Sequence, residues 1–378
     1  MPMRYLVFVI GLELAGTLLT AQTSGLPHDG TQGSSRVAEN SAPTKTKSHG
    51  DSSNVVDRHF ARVRTITSPT EMANTFVNAL QCDGDGNVYF RADVDGTSGI
   101  HKLNNKAERV ALFEPNANAD LKIDAATSFA LESDVGDLYE LVFPHEINRY
   151  VFVYKPDGTL KSKVKLQPGF PFFPSKVAVF PGGQLLISGT EYDADKSATR
   201  WPFTGIFAPD GRLLKELELG DEKDLHDLAK LGDTRFVLQG TNASLAVGNG
   251  QLEVAADGNA YLMRWTNPAI FYAISAGGEV VRWFTVDPNE PAYRPSEMHI
   301  HKNRIAVLFI EPQTNEKIMK IVDLEGHAVA TYDELKVNGK PRDVLGASFA
   351  CYTENPTRFT FLGANDDSRV ELWIAEIR

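Results

Sequence analysis

The chain has 378 residues, 42% hydrophobic and 23% charged, with a formal net charge of −11 and only two cysteines. That length and composition are ample for a large buried core. The acidic balance, with no cluster of Lys and Arg, argues against a nucleic-acid or anionic-membrane partner.

Met1 to Arg4 form a short positive segment, followed by an apolar run over 5–19 that ends near Thr20-Ala21-Gln22. The pattern predicts a secretory signal peptide over 1–21, although Glu13 interrupts the run. It is shorter than the ~20 residues a membrane-spanning helix needs. The expected location is therefore secreted or periplasmic, with no membrane attachment after cleavage. Residues 22–56 are rich in Ser, Gly, Thr, Pro and Lys and lack aliphatic periodicity. Such a stretch buries too little surface to offset its ordering entropy, so it reads as a disordered linker. The folded domain is expected over 57–378.

That domain opens on an orphan strand, FARVRTI (60–66), and then repeats one pattern. Six inner hairpins align on their turns: DGDGNVYF (83–90), SDVGDLYEL (133–141), FPGGQLLIS (180–188), AADGNAYLM (255–263), IHKNRIAVL (300–308) and TENPTRFTFL (353–362). Gly, Asn and Asp at these turns accept the backbone conformations tight hairpins demand. Every one but the last is followed by a second hairpin, as in PDG (156–158) and AGG (276–278). Strands such as 260–265 are apolar on both alternating faces, which means cover on both faces. Radial repetition of four-stranded blades supplies that cover. With Asn87, Asp137, Gln184, Asn259, Arg304 and Arg358 taken as equivalent, the gaps are 50, 47, 75, 45 and 54 residues. Familiar blade repeats run to ~40–50.

The expected fold is thus all-β: a six-bladed β-propeller of four-stranded antiparallel blades. The long gap is read as an insertion at about 220–249 with helical spacing at DEKDLHDLAKL (221–231), a degenerate seventh blade being the alternative. The last repeat ends on the strand 370–377 with no fourth strand to give, so strand 60–66 is expected to complete that blade and close the ring. Cys82 and Cys351 fall on the first and last inner strands, which a closed ring makes neighbours. Either a disulfide or two buried free thiols fits that placement.

The turn Asp83-Gly84-Asp85-Gly86-Asn87-Val88-Tyr89, with a second turn such as Pro156-Asp157-Gly158, resembles NHL-like repeats. More loosely, 57–378 resembles the six-bladed group that includes SMP-30/gluconolactonase-like enzymes. The resemblance implies architecture first, because that group holds metal-dependent lactonases, lyases and plain binding scaffolds alike. No lactonase ligand can be placed residue by residue on this chain.

Candidate sites follow from the loops. Aromatic residues crowd those expected to share one end of the channel: Phe170, Phe172, Phe173, Trp201, Trp265 and Tyr293. Exposed, they suit a peptide, carbohydrate or protein partner; packed together, they form a satellite core. His299 and His301, with His226 in the insertion, are weak candidates for a divalent metal. No cofactor is otherwise expected, since there is no HExxH, no G-x-S-x-G elbow and no P-loop. The leading expectation is an exported binding or scaffold protein, leaning away from an enzyme; the alternative is a metal-dependent hydrolase or lyase with its site at the channel mouth.

Overall fold

The protein was described from a computed structural model, which defines residues 56–58, 62–71, 78–94, 97–117, 121–133, 135–145, 148–192, 200–219, 251–314, 316–332, 336–337, 340–341, 348–354, 356–364 and 369–376. The signal-peptide and insertion assignments, His226 included, lie outside the described residues.

Residues from 56 onward build six antiparallel sheets, each a blade. Blade 1 runs outward through Asn78–Cys82, Val88–Val94, Thr97–Leu103 and Arg109–Phe113. Blade 2 comprises Ile123–Leu131, Leu138–Pro144, Tyr150–Tyr154 and Leu160–Lys165. Blade 3 comprises Phe172–Val179, Leu185–Tyr192, Arg200–Phe207 and Leu213–Glu216. Blade 4 comprises Gln251–Val254, Ala260–Arg264, Ala269–Ile274 and Val280–Val286. Blade 5 comprises Arg294–His301, Arg304–Ile310, Lys317–Asp323 and Ala328–Tyr332. Blade 6 comprises Ser348–Thr353, Arg358–Ala364 and Arg369–Glu376, and takes its outer strand, Arg62–Glu71, from the start of the domain. The innermost strands touch in order around a closed circuit, the sixth against the first. The ring therefore has six blades and closes as the orphan strand required.

Second strands are sandwiched between blades, and their composition answers to that. Leu138–Pro144 and Ala260–Arg264 are buried at every position. Alternate side chains face opposite neighbours: Tyr261 and Met263 pack with Met298 and Val307 of blade 5, whereas Ala260 and Leu262 pack with Ala178 and Leu186 of blade 3. Each fully buried Phe, Leu or Met contributes ~1.5–3 kcal/mol. Outer strands are half-covered; Leu160–Lys165 carries three lysines, a charge pattern that blunts an open edge.

One outer edge is covered in a way the sequence does not foretell. Val56–Arg58 pairs in parallel with Ala328–Tyr332, adding a fifth strand to blade 5 across the expected linker boundary. A two-residue-per-strand hairpin, Lys336–Val337 with Lys340–Pro341, is likewise unforeseen. Asn267-Pro268 is a cis peptide.

The antiparallel order fixes two ends of the channel. Turns joining first to second strands gather at one, the turn end; connections from second to third strands and between blades gather at the other, the loop end.

Candidate functional site

At the loop end the structure divides the aromatic set. Phe172 is buried, with Phe170, Phe203 and Phe207 against it in the core between blades 2 and 3. Phe173, its neighbour, points the other way and is 42% exposed. It stacks on Phe143 at 4.9 Å, and the Arg149 guanidinium lies 5.0 Å from the Phe143 ring and 6.0 Å from that of Phe173. Trp265 is 40% exposed. Its loop is fastened to the blade 4–5 connection, because Asn267 Nδ2 donates to Pro291 O at 3.1 Å and to Tyr293 O at 2.8 Å. Tyr293 is half-buried against the core of blades 4 and 5, and its hydroxyl donates to Glu316 at 3.2 Å. The Trp201 backbone pairs with Glu191, while its side chain lies outside the described residues.

The histidine pair is divided as well. His299 is buried with both ring nitrogens engaged: Nδ1 meets Glu253 at 2.8 Å and Nε2 meets Phe349 O at 2.9 Å. Burial alone lowers its pKa, but the Glu253 carboxylate and the Phe349 carbonyl outweigh that and hold it above the ordinary value. His301 is half-buried at the turn end, where burial and Lys302 lower its pKa. His145 Nδ1 lies 2.8 Å from Asp124 on an exposed loop. Among the described residues, no group of three His, Cys, Asp or Glu side chains is placed to hold a metal ion.

His299 belongs instead to a set of residues at one register position. On the innermost strands, the residue two before the one that closes the turn to the second strand (Asp83, Glu132, Phe180, Ala255, His301 or Thr353) is Gln81, Ala130, Ala178, Glu253, His299 or Cys351. Each faces the next blade. Gln81 donates to Phe129 O at 3.1 Å and accepts from Leu131 N at 3.1 Å. Glu253 accepts from Ile300 N at 2.7 Å, beside its contact with His299. His299 reaches Phe349 O, and Cys351 is disulfide-bonded to Cys82. Four of the six blade boundaries are therefore fastened by this position; at 2–3 and 3–4 alanine occupies it. The fastening column escapes sequence reading because four different chemistries serve one geometry.

The turn-end hairpins are internally saturated. Asp83 accepts from Asp85 N at 3.1 Å, Asn87 N at 3.0 Å, Asn87 Nδ2 at 2.8 Å and the Tyr89 hydroxyl at 3.1 Å. Asp257 does the same for Asn259 and Tyr261, while Gly258 takes the left-handed conformation at φ 78°. In blade 2, Glu132 accepts from the Tyr139 hydroxyl at 3.0 Å and from Gly182 N of blade 3 at 3.1 Å. The Gly-Asp turns are thus built for hairpin closure.

Between these turns the channel widens into a cavity of about 630 Å³. Small apolar side chains, Ala130, Ala178, Val179 and Val254, line it together with Gln81, Glu132 and Glu253, and Asp85, Lys102, His301 and Lys302 also face it. Lys102 pairs with Asp83 at 3.5 Å.

No protein-family model matches the chain. No curated protein matches it either. Among solved structures, it is similar to a protein of unknown function from Bacteroides thetaiotaomicron VPI-5482, at 15% identity over 82% of this chain and 75% of that one, with a TM-score of 0.45. A protein of unknown function from Bacteroides caccae matches at 13% identity over 69% and 82%, TM-score 0.43. A catalytically inactive virginiamycin B lyase from Staphylococcus aureus, with quinupristin, matches at 10% identity over 82% and 98%, TM-score 0.43. At this similarity none lends its function, and the propeller assignment rests on the strand order itself.

Proposed function

We propose that this propeller is a non-catalytic binding module, exported from the cytoplasm, that takes a peptide, carbohydrate or protein partner at its loop end. The observation that carries the reading is Trp265: a large ring 40% exposed on a loop held in place by the two Asn267 bonds. A rigid aromatic offers contact area at small entropic cost, which is what binding anchors need. Phe173, supported by Phe143 and Arg149, is a second anchor at the same end. Export is supported by the N-terminal apolar segment and by the Cys82–Cys351 bond, since disulfides persist in oxidising compartments. The DGxGNxY-type turns keep an NHL-repeat-like kinship as the working family. His299, the leading ligand of the metal-dependent alternative, is already engaged by Glu253 and Phe349.

The test is a glycan and peptide array probed with the domain and with Trp265→Ala and Phe173→Ala variants. Both substitutions are expected to remove the recognised ligand while leaving the melting temperature nearly unchanged. Wild-type binding that survives both would overturn the loop-end reading.

A further inference from the structure

The boundary between blades 3 and 4 lacks the fastening that Gln81 gives to blades 1 and 2, and the cavity opens against it. In blade 2 the turn is closed by Glu132 N donating to Asp137 O at 2.9 Å. Backbone groups alternate along an antiparallel edge, so Leu131 N and Phe129 O, one and three residues back, point off the sheet. Gln81 meets both. Blade 4 has the same closure, with Ala255 N donating to Asn259 O at 2.9 Å. Val254 N and Leu252 O therefore point off their sheet toward blade 3. The residue facing them is Ala178, whose methyl can neither donate nor accept. Among the described residues nothing bonds either group. Ala178, Val179, Leu252, Glu253 and Val254 all line the cavity.

We propose that the turn-end cavity binds a small molecule bearing a primary carboxamide, held by Leu252 O and Val254 N. A carboxamide is the group that repeats what Gln81 does, with an acceptor and a donor side by side in one plane. A carboxylate fits less well: it has no donor for Leu252 O, and Glu253 lies between the two backbone groups. Glu253 itself is tolerated at the next boundary because its second oxygen meets His299. Ala178, Val179 and Val254 offer apolar surface to a short aliphatic tail, and about 630 Å³ is ordinary for a small-molecule site.

The experiment uses three probes of equal length, hexanamide, hexanoate and hexanol, titrated against the full chain labelled with 15N-valine. The Val254 amide signal is assigned by its loss in Val254→Ile. Hexanamide is expected to shift that signal and to bind at least about tenfold more tightly than the other two, the difference one well-placed polar pair makes. In Ala178→Gln the new side chain takes the same two backbone groups, and hexanamide affinity should fall by about tenfold or more. Trp265→Ala, at the other end, should leave it unchanged, so failure here and failure of the loop-end reading are separate results. Equal response to the three probes, preference for hexanoate, or binding that leaves Val254 unmoved would each overturn the proposal, and the first two need no variant to fold.

Discussion

Gln81 and Cys351 occupy the same register position on the innermost strands of blades 1 and 6, and each fastens its blade to the next. Gln81 does so with two hydrogen bonds to blade 2, Cys351 with a covalent bond to Cys82 of blade 1. The difference follows from where the chain runs. Blade 6 alone is assembled from both ends of the domain, its first three strands from the end and its outer strand, Arg62–Glu71, from the segment that leads into blade 1. The ring is therefore closed by the pairing of Arg62–Glu71 with Arg369–Glu376 and by the disulfide, not by a continuous run of chain.

Loss of the disulfide should therefore destabilise without unfolding. The bonded cysteines are 269 residues apart, and the chain-entropy account gives ~4–5 kcal/mol for loops so long, with about 2–5 kcal/mol the usual range on removal. In Cys351→Ala the Arg62–Glu71 strand still closes blade 6. Guanidinium unfolding of wild type and variant, with and without reductant, reads the difference. A midpoint indifferent to reductant in the wild type would show the bond contributes nothing to closure.

The blade count, the closing strand and the neighbourhood of the two cysteines were legible in the sequence because each is written in local chemistry. Asp257-Gly258-Asn259 announces a turn, and a repeat short of one strand announces a borrowed one. What was not legible depends on register. Phe172 and Phe173 are adjacent and equally aromatic, yet one is core and the other exposed, and a bulge between Pro174 and Lys176 resets which face follows. The fastening column reads Gln, Ala, Ala, Glu, His, Cys, which has no compositional signature. Val56–Arg58 is too short for a pattern, and its parallel partner is more than two hundred residues away.

The His299–Glu253 contact predicts a dependence on pH. The folded pKa of His299 is raised, so its contribution is complete below the ordinary imidazole value of ~6.5 and is lost as pH climbs through the folded one. Glu297 acts in the same sense, because burial raises its folded pKa and ionisation at higher pH is resisted. Unfolding midpoints should fall as pH rises above the ordinary imidazole value of ~6.5. In His299→Gln, which keeps a donor for Phe349 O but does not titrate, the fall should be shallower. An equally steep profile in the variant would assign the dependence elsewhere.

A second, steeper loss is expected in alkali. Tyr89, Tyr139, Tyr154, Tyr261 and Tyr352 all have folded pKa values raised far above the ordinary 10.0, foremost by burial and, except for Tyr154, reinforced by the carboxylate each hydroxyl meets. Their raised folded values mean stability present below pH ~10 and lost above it, where the unfolded chain ionises freely. Five of the chain's 11 tyrosines should therefore gain tyrosinate absorbance only as the fold is lost, following circular dichroism. If all 11 titrate while the dichroism stays native, the burial argument fails.

The largest single effect should come from Arg91 and Glu140, an ion pair buried between blades 1 and 2 at 8% and 0% side-chain exposure. Glu140 also accepts from the Tyr154 hydroxyl at 3.1 Å. Two charges taken out of water recover their desolvation cost only through each other and their hydrogen bonds, so removing one is far worse than removing both. Glu140→Leu leaves the Arg91 guanidinium buried without its counter-charge and should cost about 3–5 kcal/mol. Adding Arg91→Met should restore most of that, the pair then being replaced by apolar volume, with the Tyr154 hydroxyl as the residual loss. A double-mutant cycle on unfolding free energies measures the coupling. If the two single losses simply add, the charges act independently, and the pair does not hold blades 1 and 2 together.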